Sequence, residues 1–224
     1  MTPQRILHDV KAVVPEDAHI FTDVGWNKNG VAQQFDVNVP GTIHHSSGLA
    51  TMGFGASAVL GGKLAAPDKV CLTLTGDGGF GVNPTCLATA VEQGIACTWV
   101  VMNNSAFGTI AGLENGNYGT KFGTVFQTPD GKSYSPSWAG VAKAYGVESI
   151  CVQSADEFLP AMKRPWLPTR KAVLPRGSSH GNIVVPTPGC WNINDIYSPS
   201  ALVKEGKLVK DEKGRCRTES RKIS

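Results

Sequence analysis

Two short stretches of the 224-residue chain carry the residue types for metal chemistry: Gly76-Asp77-Gly78 and, after 24 intervening residues, Asn103-Asn104. A carboxylate and an amide oxygen are hard donors. They suit a cation such as Mg²⁺, which takes oxygen ligands and shares them with phosphate groups. Glycines beside Asp77 let the backbone approach a phosphate closely. Gly-Asp-Gly alone is a common turn and Asn-Asn alone a common strand exit, so the reading rests on where the two fall together. Asp77 follows the β-rich run Val70–Thr75, and the asparagine pair follows the near-continuous apolar run Cys97–Met102. In an open parallel sheet the carboxyl ends of the strands form the ligand crevice. A dinucleotide fingerprint is formally present as well, because Gly76, Gly78 and Gly81 spell G-x-G-x-x-G after a strand. That reading wants an acid at the end of the next strand to hold a ribose hydroxyl, and Asn103-Asn104 stand there instead.

The elements that must hold these residues alternate. His19–Asp23 is a short apolar run ending in a polar residue. Thr85–Gln93 has helical spacing, with Leu87, Ala90 and Val91 on one face and Gly94 closing it. Ser137–Tyr145 predicts a second helix ending at Gly146, and Val147–Val152 a further strand. An apolar run such as Cys97–Met102 is expected where both faces of a parallel sheet are covered. The alternation predicts an α/β fold, a doubly wound parallel sheet with helices on both faces and right-handed crossovers. From residue 158 the period fails, and Pro160, Pro165, Pro168, Pro175, Pro186 and Pro188 interrupt it. The expected division is a compact module over 1–157 and, over 158–224, an irregular Pro-rich segment with a basic tail. Period and acids vanish so abruptly over Arg164–Gly181 that this stretch reads as out of frame with its surroundings.

Composition excludes several classes. Hydrophobic residues at 41% and charged residues at 17% describe a globular chain, not a disordered one. No apolar run reaches the length of a membrane span, and the N-terminus has no apolar signal core, so a cytoplasmic protein is expected. The six cysteines include no C-x-x-C pair, and most lie in apolar stretches, which predicts reduced buried thiols. The formal net charge of +3 is uneven: residues 1–157 hold 8 Lys+Arg against 13 Asp+Glu, and 204–224 hold 8 against 4. That tail has no interleaved aromatics and mixes in Glu205, Asp211, Glu212 and Glu219, so it predicts a solvated extension and no nucleic-acid partner.

The stretch Gly76-Asp-Gly-Gly-Phe-Gly through Val-Val-Met-Asn103-Asn104 resembles the signature of thiamine-diphosphate-dependent enzymes. The nearest resemblance is to the acetolactate synthase large subunit and its 2-oxoacid decarboxylase and carboligase relatives. It covers about residues 1–157, the C-terminal diphosphate-binding module of those longer chains. The resemblance implies the thiamine-diphosphate-binding fold. It also implies Mg²⁺ held by Asp77, the side chain of Asn104 and the main-chain carbonyl of Ala106, with Gly76, Gly78 and Gly79 against the diphosphate. Ala106 could equally just start a helix through Ile110. Ser47-Gly-Leu-Ala-Thr-Met-Gly-Phe-Gly55 resembles the segment beneath the aminopyrimidine. Met52 there matches the catalytic wedge that bends the cofactor, and Ala50, where relatives commonly have Gly, the carbonyl that accepts from its amino group. A glycine-rich helix start with Met52 as core filler is the plain alternative. Thr22-Asp-Val-Gly-Trp-Asn27 resembles the loop that touches the diphosphate, with Gly25 at the close approach and Trp26 and Asn27 in place of the usual Gln-His. An ordinary turn would also explain it. His44 and His45 could face a substrate or be satisfied where they stand.

By this resemblance the chain binds thiamine diphosphate and Mg²⁺ for a 2-oxoacid transferase, lyase or decarboxylase. The glutamate that serves the aminopyrimidine lies on a separate pyrimidine-binding module in the family, which implies a partner module or subunit in a homo- or hetero-oligomer. A non-catalytic cofactor-binding module is the competing expectation. Residues Leu113–Gln127 bear on substrate choice and carry no readable motif.

Overall fold

A computed structural model describes residues 1–163 in full and the backbone of the strands Asn182–Pro186, Leu208–Lys210 and Cys216–Thr218. The sheet is built from β1 (His19–Thr22), β2 (Ile43–His45), β3 (Cys71–Gly76), β4 (Thr98–Met102), β5 (Glu148–Val152) and β6 (Asn182–Pro186). All five pairings are parallel, and the strand order is β2-β1-β3-β4-β6-β5. Parallel neighbours need crossovers, which the helices supply: α1 (Pro3–Lys11), α2 (Trp26–Gln34), α3 (Phe54–Ala65), α4 (Asp77–Val82), α5 (Cys86–Glu92), α6 (Gly108–Tyr118), α7 (Trp138–Ala144) and α8 (Ala155–Met162).

Strand side chains alternate between two apolar layers. Phe21, Cys71, Trp99 and Val101 face a layer completed by α3, α5 and α7 through Val59, Leu87 and Ala142. Ile20, Leu72, Leu74, Val100 and Met102 face the other, completed by α1 and α8 through Ile6, Leu7, Val10 and Phe158. β4 is buried along its whole length, the outcome expected of its unbroken apolar run.

The chain past residue 157 departs from the expected irregular extension. α8 runs on to Met162 and buries Phe158, Ala161 and Met162, with Pro160 inside it. Proline deletes one backbone hydrogen bond there, and the buried side chains, with a capping box between Ser154 and Glu157, hold the helix nonetheless. β6 then adds a strand between β4 and β5, and β7 (Leu208–Lys210) and β8 (Cys216–Thr218) form a separate antiparallel pair. The Pro- and Arg-rich stretch 164–181 and the rest of the basic tail lie outside the described residues. Among the described residues no helix is long and apolar enough to cross a membrane. Cys71, Cys86 and Cys97 are free and buried, as expected, whereas Cys151 is free and exposed.

Candidate functional site

The strand order reverses between β1 and β3. After β1 the chain turns outward to build β2, and after β3 it turns the other way to build β4. Such a switch point opens a crevice at the carboxyl ends of the strands. A cleft of about 560 Å³ opens there, lined by Val24–Asn27, Met52, Gly76–Gly79, Met102, Asn104 and Ala106–Ile110. Ten of the eleven expected site residues therefore meet at one place; Ala50 is not among the lining residues.

Asp77 opens α4 immediately after β3 and is 2% exposed, with Oδ2 lacking any hydrogen-bond partner. Burial pushes its carboxyl up to about 6, against the lowering effect of backbone N–H groups at Gly78, Ser105 and Ala106. Asn104 faces it. One orientation of the carboxamide sets its oxygen 3.1 Å from Asp77 Oδ1 and 3.0 Å from the Ala106 carbonyl; turned over, the amide nitrogen donates to both. In the first orientation the Asn104 oxygen stands about 3 Å from each of two other acceptor oxygens, an arrangement that repels unless a cation lies beside them. Mg–O bonds of about 2.0–2.1 Å in an octahedron put neighbouring oxygens about 2.9 Å apart, so the spacing fits. Ala106 starts no helix: it pairs with Val125 in an isolated bridge, and α6 begins at Gly108.

The neighbouring loops are tied to this centre. Gly25 has φ +89°, and a Cβ there would lie 2.8 Å from Thr109 Oγ1, so the β1 loop needs glycine to pass so close. Asn27 Nδ2 donates to the Val24 carbonyl at 3.0 Å. Trp26 borders the cleft, but its ring folds back over Gly30 beside Leu7. Met52 is half-buried, its Cε 3.3 Å from where a Cβ on Gly78 would stand. Ala50 has φ +49°, left-handed backbone that a side chain disfavours.

Sequence reasoning left several contributors unassigned. Asn103, the first of the pair, does not line the cleft; its Oδ1 accepts from Ser105 N at 3.2 Å and Ser135 Oγ at 3.1 Å. It thereby braces Ser105, whose φ is +55°. Phe107 lines the cleft and meets Phe126 edge-on, while Phe107 N donates to Thr124 O and Phe126 N to Ser105 O. Part of the unreadable Leu113–Gln127 stretch is thus folded back onto the exit of β4. His44 and His45 do not line the cleft: His44 stacks on Phe21 and bonds His19 at 2.9 Å, and His45 bonds Ser47 at 2.9 Å.

Comparison with known proteins agrees with this geometry. Residues 23–174 match the family model "Thiamine pyrophosphate enzyme, C-terminal TPP binding domain". The chain is 33% identical over 171 residues to a probable acetolactate synthase large subunit of Methanocaldococcus jannaschii, covering 74% of this chain and 28% of that protein. It is 31% identical over 166 residues to the corresponding protein of Methanococcus aeolicus, covering 72% of this chain and 27% of that one. A sulfoacetaldehyde acetyltransferase of Castellaniella defragrans is 28% identical over 208 residues, 92% of this chain and 32% of that protein. The Rhodococcus jostii RHA1 thiamine diphosphate-dependent 4-hydroxybenzoylformate decarboxylase shares the fold, with a TM-score of 0.69 at 21% identity over 85% of this chain and 33% of that one. The chain spans about a quarter to a third of the length of these relatives. The crevice at the switch point, the oxygen cluster within it and the family match over residues 23–174 agree, and the chain belongs to the thiamine pyrophosphate enzymes as a C-terminal cofactor-binding domain.

Proposed function

We propose that this chain is the thiamine diphosphate- and Mg²⁺-binding half of an acetolactate synthase-like enzyme that decarboxylates a 2-oxoacid and passes the remaining fragment to an acceptor. The observation that carries this reading is the convergence of Asp77, Asn104 and the Ala106 carbonyl at adjacent strand exits, with one buried carboxylate oxygen unpartnered. Asp77, the Asn104 side chain and the Ala106 carbonyl would hold the metal. Gly25, Gly76, Gly78 and Gly79 give backbone approach to the diphosphate, with Trp26 and Asn27 at its edge. Met52 would wedge the cofactor into its reactive shape, and the Ala50 carbonyl would accept from its amino group. The bound cofactor supplies an acceptor for the electron pair released when a 2-oxoacid loses carbon dioxide. The chain's own residues orient it, neutralise the diphosphate charge through the metal, and keep one wall of the site dry through Met52, Met102, Phe107 and Ile110.

A 2-oxoacid is the proposed substrate, and a pyrimidine-binding module on a partner chain or segment, in a homo- or hetero-oligomer, the proposed companion. The cytoplasm is the proposed site of action, in keeping with the free buried thiols Cys71, Cys86 and Cys97. A decarboxylase or lyase would use the same residues. A non-catalytic cofactor-binding module is favoured over these if no companion carries the pyrimidine module. Titration calorimetry tests the metal reading. Asp77→Ala is expected to abolish Mg²⁺-dependent thiamine diphosphate binding while the circular dichroism spectrum is retained. Unchanged affinity in that variant would refute the assignment.

A further inference from the structure

Asp23 stands at the exit of β1, 2% exposed, and lines no part of the cleft. Its carboxylate nonetheless meets the three segments that do. Oδ1 accepts from Val24 N at 2.9 Å, in the loop that leads to Gly25, and from Gly53 N at 3.2 Å. Oδ2 accepts from Gly55 N at 2.9 Å. Gly53 and Gly55 open α3, a helix whose cap position, Gly53, offers no side chain to its first turn. Those leading N–H groups have no partner inside the helix, and the helix dipole favours negative charge beside them. The third segment is α4: a Cβ on Gly79 would come within 2.5 Å of Asp23 Oδ1, and one on Gly55 within 2.8 Å of Asp23 N. Both helices therefore press their backbones directly on this residue.

Met52 immediately precedes Gly53, so whatever fixes the start of α3 fixes Met52. We propose that Asp23 is a positioning residue of the cofactor site: by capping α3 from the neighbouring strand, it sets Met52 in register with the Gly25 loop and with Gly78–Gly79. The assignment rests on the cofactor reading above. A carboxylate is suited to the task because both oxygens accept only, whereas an amide would turn an NH₂ group toward one of the backbone donors.

The test uses the full chain with Mg²⁺ and two probes, thiamine diphosphate and inorganic pyrophosphate, in titration calorimetry. Pyrophosphate reports the clamp built on Asp77 and Asn104, and the difference between the probes reports the Met52 wall. Asp23→Asn is expected to weaken thiamine diphosphate about tenfold or more while changing pyrophosphate less than about twofold. In a Met52→Ala background the same change should add little, because the two residues act as one unit. Equal losses for both probes, or full additivity with Met52→Ala, would overturn the assignment and leave the metal site standing. A wild-type chain that binds neither probe would overturn the cofactor reading and this assignment together. Hydrogen exchange on the unmodified chain needs no stable variant. The Gly53 and Gly55 amides should exchange slowly, and rates typical of an open helix start would equally overturn the assignment.

Discussion

A carboxylate as buried as Asp77, with one oxygen unpartnered and its acidity weakened, destabilises the chain unless something positive joins it. The residues that would supply ligands lie within two short stretches of sequence, which is why they could be found by type and spacing alone. The braces behind them could not. Asn103 acts through Ser135, 32 residues later, and Asp23 through Gly55, also 32 residues later; neither pairing has a local signature. Ala50 illustrates a departure that became physical once its backbone was visible. Left-handed geometry costs a residue with a Cβ about 1–2 kcal/mol, and glycine gives back about 0.4–1 kcal/mol through its freer unfolded chain. Ala50→Gly is accordingly expected to stabilise the chain by a net of about 0–1.6 kcal/mol and so to raise the melting temperature slightly. A lowered melting temperature would show that the alanine is not strained there.

At the scale of elements, hydrophobic period located β1, β3, β4 and β5 and the helices α5 and α7 to within a residue or two, and missed the three-residue outer strand β2. It says nothing about pairing order, because a strand's burial pattern does not name its neighbours. It also misread the chain beyond residue 157, where Pro160 looked like a stop and the burial of Phe158 outweighed it. The outer strand β2 carries its own consequence. His44 stacks against Phe21 and His19, and burial followed by the nearby His19 charge holds its pKa below the ordinary 6.5. The unfolded chain then binds the proton more readily than the folded one. This contribution to stability is complete above pH 6.5 and is lost as pH falls from there through the folded value. Melting temperatures between pH 7.5 and pH 5 should fall, and His44→Gln should flatten the fall; an unchanged slope would clear His44 of the effect.

At the scale of the molecule, Asp77 is the one carboxylate that lines the cleft among the described residues. Asp23 is occupied by backbone donors and Glu114 by Thr124 Oγ1 at 2.7 Å. Among the described residues no second acid lines the cleft to serve the aminopyrimidine, so the purified chain is expected to bind cofactor weakly and to turn over no 2-oxoacid without a pyrimidine-module partner. Decarboxylation assayed with Mg²⁺ and thiamine diphosphate, at the rate of a complete enzyme and with no partner added, would contradict this.

The place of β6 has a consequence for how the molecule is made. Among the described residues β5 joins the sheet only through β6, yet β6 follows it by some thirty residues. On the ribosome the four strands β2-β1-β3-β4 can assemble as soon as they emerge. β5 must wait with its backbone unpaired, and β4 meanwhile presents an open edge that any passing strand could occupy. A nascent chain stalled before Asn182 should therefore resist protease through β4 and be cut within β5; equal protection of both would mean that β5 finds another seat first. Anything that delays or alters the chain between them leaves that edge open longer, so synthesis, more than the finished fold, is where this protein is most exposed to aggregation.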